Sequence, residues 1–84
     1  MNPSKPEPVK TPPVPLSVVK SGREVRLLEV RAGRGLAQRL AEMGFVPGVQ
    51  VRVVSNDSAG PVVVLVKGSR LMLGRGMAQK IWVE

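Results

Sequence analysis

Two segments of the chain echo each other: Gly33-Arg34-Gly35-Leu36-Ala37-Gln38-Arg39 and Gly74-Arg75-Gly76-Met77-Ala78-Gln79-Lys80. Glycines ahead of a helix start can present bare N–H groups to an anion, with Arg34 or Arg75 adding charge. Neither segment has the GxxxxGK(S/T) spacing that cradles a nucleotide phosphate, and a GxGxxG reading fails at Gln38 and Gln79. The echo therefore reads as two similar turn-to-helix junctions.

The other reactive side chains form no better constellation. Glu24 and Glu29, five apart on an expected strand, fall on opposite faces by simple alternation, and Glu42 faces solvent on an expected helix. The serines have no histidine to activate them, because the chain has none. A hard-cation site built from Asp57, Glu84 and carbonyls has no supporting spacing. Met43, Met72 and Met77 are potential thioether ligands, but at helix and strand positions they read as core filler. With cysteine also absent, the usual thiolate and imidazole ligands are both missing. The residues thus argue against an enzyme, and no catalytic, cofactor-binding or metal-binding residue is expected.

At 84 residues the chain is the size of one small domain. Its net charge of +7 calls for an acidic partner: nucleic acid, an anionic membrane face or an acidic protein surface. Phe45 and Trp82 are the aromatic residues, too few for the stacked rings on which single-stranded nucleic acid is usually held. No nucleic acid is expected on that ground. No apolar run approaches the ~20 residues needed to span a bilayer, and the N-terminus is proline-rich rather than signal-like. The expectation is a soluble, unexported, cytoplasmic protein.

The elements that position these residues are organised around Leu40-Ala41-Glu42-Met43-Gly44-Phe45-Val46-Pro47-Gly48. Leu36, Leu40 and Met43 repeat at i, i+4 and i+7, the apolar stripe of an amphipathic helix over Arg34 to Met43, and Gly44 supplies the left-handed residue that stops it. Pro47 and Gly48 suit the two central positions of a type II turn, with Phe45 and Val46 as buried spacers. Strands are expected at Val25 to Arg31, Val49 to Ser55, Val62 to Lys67, Arg70 to Leu73 and Lys80 to Glu84. The nearly continuous apolar run of the third implies that both its faces are covered. Gly68-Ser69 reads as a type II′ hairpin turn, Gly74 to Ala78 as a short helical turn, and the last strand should pair with Val25 to Arg31. The result is a mainly β domain over residues 16–84: a small, strongly bent barrel of about five strands with one helix after the first, closed to hide its edges. Residues 1–15 contain Pro3, Pro6, Pro8, Pro12, Pro13 and Pro15 and read as a disordered, partly polyproline-II tail.

What remains is surface. Trp82 stands between inward Ile81 and Val83, so alternation turns it outward. It is either packed under the tail or helix, or it is a partner-binding hot spot with Lys67, Arg70, Arg75 and Lys80 as a basic rim.

Leu16, Gly22, the Leu40-x-x-Met43-Gly44-Phe45-Val46-Pro47-Gly48 corner, Gly60-Pro61, Gly68, Leu71, Leu73, Ala78, Ile81 and Val83 together resemble the ferrous iron transport protein A (FeoA) family. The resemblance covers residues 16–84. It implies an SH3-like β-barrel, in agreement with the patterning above, from which Leu36, Leu40, Met43, Gly44, Pro47, Gly48, Leu71, Leu73, Ile81 and Val83 are read as structural. It also implies a cytosolic accessory of a large membrane permease for Fe(II) that carries a GTP-binding domain, acting by protein contact. Gly74 and Gly76 depart from the family's charged, helix-compatible residues there. The same barrel occurs as the C-terminal domain of iron-dependent repressors, so a metal-sensing domain is one alternative, and a nucleic-acid-binding basic barrel is another.

Overall fold

The computed structural model describes residues 12–57 and 59–84, so most of the expected tail lies outside the described residues. The strands are β1 (Val14–Pro15), β2 (Glu24–Val30), β3 (Gln50–Asn56), β4 (Val62–Val66), β5 (Ser69–Leu73) and β6 (Ile81–Val83). A 3-10 turn, Leu16–Val18, precedes β2, helix α1 (Arg34–Glu42) follows it, and a single-turn helix α2 (Arg75–Ala78) leads into β6. All pairings are antiparallel, in the order β1-β6-β2-β3-β4-β5.

The closing strand pairs with β2 as alternation and chain economy predict, through Leu27↔Val83, Glu29↔Trp82 and Val30↔Ile81. Two features differ from the sequence expectation. Val14 and Pro15 add a sixth strand beside β6. The sheet also does not close: β1 stands at one end and β5 at the other. A two-residue β1 ending in proline cannot donate a full ladder, so it caps its end without bridging to β5.

The corner after α1 is built as its residues dictate. Gly44 takes φ +103, its N–H donates to the Ala41 carbonyl at 3.0 Å and the Phe45 N–H donates to the Leu40 carbonyl at 2.9 Å, which is a Schellman ending. The apolar contact that completes this motif comes from Phe45 and Leu40, both fully buried. Met43, expected in the apolar stripe, is 37% exposed. Phe45, just past the reversal, is the buried apolar residue at this end of the helix, and Met43 is left at the surface. Pro47 and Gly48 form the expected turn, with Gly48 at φ +91 and the Val49 N–H donating to the Val46 carbonyl at 3.1 Å.

Inside the sheet lie Leu16, Leu27, Leu40, Phe45, Val51, Val53, Val62, Val64, Val66, Leu73, Ala78, Ile81 and Val83. Leu36 and Leu71 pack against them half-buried. Register shifts between Leu27 and Glu29 in β2, and between Val53 and Ser55 in β3, mark β-bulges. Each bulge resets the alternation and sharpens the strand's twist, which curls the sheet around its core. One consequence corrects the reading of the acids: beyond the bulge the phase flips, so Glu24 and Glu29 are both exposed.

Candidate functional site

The hairpin between β4 and β5 turns at Lys67 and Gly68, flanked by the pair Val66↔Ser69. The expected Gly68-Ser69 turn is thus one residue late. Lys67 has φ 51 and Gly68 φ 81, the two positive values of a type I′ turn, whose twist matches the flanking strands. This places Lys67 at the tip and fixes which residues of β5 look outward. Leu71 and Leu73 pair with Val64 and Val62 of the core face, whereas Arg70 and Met72 pair with half-buried Leu65 and Val63 on the outer face.

The pairings also align one row across four strands: Glu24 opposite Arg52, Arg52 opposite Leu65, Leu65 opposite Arg70. Directly paired side chains stand ~5 Å apart at Cβ. Arg52 and Arg70 therefore bracket Leu65, with Lys67 just beyond. A groove of about 440 Å³ opens along this row, lined by Glu24, Val49, Gln50, Arg52, Leu65 and Lys67, among others. On the same outer face Met72 is 69% exposed, the most exposed large apolar side chain among the described residues. The face is amphipathic, an apolar strip with cationic flanks. Arg52 is absent from the sequence-derived rim, yet the alternation of β3 together with the β3–β4 register assigns it to this face.

The other expected rim residues go elsewhere. Trp82 points away from the core as alternation predicts, but it is half-buried. The Arg31 guanidinium lies 3.9 Å from its ring centroid and is held there by Glu29 Oε2, 2.9 Å from Arg31 Nε. Pro15 of β1 and Glu29 of β2 are its strand neighbours. The cover that the sequence reading assigned to tail or helix is therefore Arg31 over the ring, with Pro15 alongside. Lys80 is exposed just before β6. In the sheet order, β2, β3 and β4 separate Trp82 from Arg70.

Arg75 is not a rim residue. Its Nη1 donates to the Ser17 carbonyl at 3.2 Å, and its Nη2 reaches Asn56 Oδ1 at 2.8 Å, the Gly60 carbonyl at 2.9 Å and the Asp57 carbonyl. Asn56 in turn donates through Nδ2 to the carbonyls of Ser17 and Val19, at 2.9 and 2.7 Å. The guanidinium thus pins the 3-10 turn, the end of β3 and the β3–β4 loop to α2. The echoing glycines do what junctions do: Gly33 and Gly74 cap α1 and α2, their carbonyls accepting from the N–H of Ala37 and Ala78 at 3.0 Å each. Among the described residues, no three of the Asp and Glu side chains gather into a cluster.

A bent antiparallel sheet with one inserted helix is an SH3-like architecture, and comparison with known proteins bears this out. The sequence model of the FeoA domain matches residues 14–84. A protein of Methanocaldococcus jannaschii with the provisional name Fe(2+) transport protein A is 44% identical over 70 residues, 83% of this chain and 84% of that protein. The chain belongs to the FeoA family. Among solved structures, an iron uptake regulatory protein, FeoA, superposes with a TM-score of 0.81 at 30% identity, covering 86% of this chain and 96% of that one. FeoA of Stenotrophomonas maltophilia, solved with zinc and described as an SH3-domain protein, gives 0.76 at 29% identity over 84% of this chain and 89% of that one.

Proposed function

We propose that this protein is a non-catalytic accessory of ferrous iron uptake that acts in the cytoplasm by contact with the GTP-binding membrane permease for Fe(II). The observation that carries this reading is the 44% identity across the folded domain to a protein named for Fe(2+) transport. The Stenotrophomonas relative, proposed as a ferrous iron transport activating factor, points the same way. Among the described residues, no helix is long and apolar enough to cross a membrane, so the chain would reach the bilayer through its partner.

The surface chemistry supports a protein as that partner. Phe45 is fully buried, which leaves half-buried Trp82, with Arg31 over one face, as the single ring a nucleic-acid base could stack on. What is offered is cationic and apolar together: Lys67 and Arg70 at one end of the sheet, Lys80 beside Trp82 at the other. These four residues are the proposed contact set, with Arg75 left to its internal bonds. Titration of the labelled chain against the permease's cytosolic GTP-binding region is expected to show saturable binding, weakened several-fold by Trp82→Ala. Absence of binding to that region, or salt-sensitive binding to oligonucleotides in its place, would overturn the reading.

A further inference from the structure

The two ends of the sheet are not alike. β1 is two residues long and ends in Pro15, so it presents almost no ladder to a neighbour. β5 is five residues long and contains no proline, and its register to β4 runs from Val66↔Ser69 to Val62↔Leu73 without a bulge. Natural sheets usually blunt such an edge, because its unpaired main-chain groups template another strand.

The hairpin says which groups are unpaired. In a two-residue turn the Ser69 N–H bonds back to the Val66 carbonyl, making Val66↔Ser69 a hydrogen-bonded pair. Such pairs alternate along an antiparallel ladder, so Leu71 and Leu73 also face β4 with their main chain. The N–H and C=O groups of Arg70 and Met72 are turned the other way, to the open side. Their side chains are the two that β5 displays on the outer face. Among the described residues no backbone group of another element bonds to this side of β5.

We propose that the open edge of β5 is where the partner docks, adding an extended segment as a seventh strand with an acidic side chain against Arg70 and an apolar one beside Met72. This rests on the protein-contact reading above. The row Arg52, Leu65, Arg70 ends at that edge, and Lys67 flanks it, so the next strand outward enters a cationic field. Residues two apart on the incoming strand lie ~6.8 Å apart on the same face, which sets the spacing of acid and apolar group. A second copy of the chain is the poorer occupant, because pairing β5 with itself brings two +7 molecules together with their arginines inside one screening length.

The test is the same titration against the permease's cytosolic GTP-binding region, read by amide hydrogen exchange and affinity. At saturation the amides of Arg70 and Met72 should become protected. Met72→Pro deletes an outward N–H and leaves the β4 ladder whole, so the variant should fold yet bind about tenfold more weakly. Arg70→Glu should lose about as much, while Arg39→Glu, the same charge change on α1, should bind as wild type. Binding that leaves both amides unprotected and both β5 variants unimpaired overturns this edge as the site while the accessory reading stands. A β5-dependent dimer of the chain alone overturns the choice of occupant. Failure of wild type to bind overturns the accessory reading and this site with it.

Discussion

At the scale of the residue, Arg75 carries more of the structure than any other polar side chain described. Removing its guanidinium leaves the carbonyls of Ser17, Asp57 and Gly60 and the Asn56 amide oxygen without that donor in a partly buried site. Arg75→Ala should therefore cost about 2–4 kcal/mol in urea unfolding, and Arg75→Lys should recover little, since one ammonium lacks the planar fork that spans these acceptors. A loss below about 0.5 kcal/mol would show that water replaces the guanidinium without penalty. None of this was legible in the sequence, because three of the acceptors are main-chain carbonyls, which every residue type supplies. Trp82 shows the opposite balance. Its outward direction follows from alternation with Ile81 and Val83, and only the Arg31 cover needed the bulge in β2 to be known.

At the scale of the element, the reversal from α1 to β3 was legible because glycine and proline restrict the backbone directly. Gly44, Pro47 and Gly48 stand where the chain needs those conformations, and the strand that follows was readable from its period of two. Met43 was misplaced because helical spacing says nothing about a side chain returning after the helix, as Phe45 does. The bulges were hidden for a related reason: one extra residue in a strand leaves no mark in composition. The β4–β5 hairpin misled the reading by placing a lysine where asparagine or glycine is favoured. Lys67 holds φ 51 at a position that costs a non-glycine residue free energy, so Lys67→Asn should raise stability by about 0.5–1 kcal/mol. A drop in the denaturation midpoint would mean that Lys67 makes a compensating contact.

At the scale of the whole molecule, antiparallel strands, one helix and a single core were all readable from the spacing of turns. The open ends were not, since closure depends on how far two bulges curl the sheet and on a two-residue β1 that composition had assigned to a tail. The charge is spread over the outside of this sheet and leaves the core wholly apolar. The network at Arg75 joins positions 15 to 58 residues apart along the chain, so no local segment can assemble it before the sheet has formed. It is then a late acquisition in folding, a latch that drops after the door is shut. Loss of Arg75 should speed unfolding by the full stability difference and leave the refolding rate within about twofold of wild type, as the two arms of a chevron would record. The lifetime of the native state, more than the speed of reaching it, is what this one guanidinium governs.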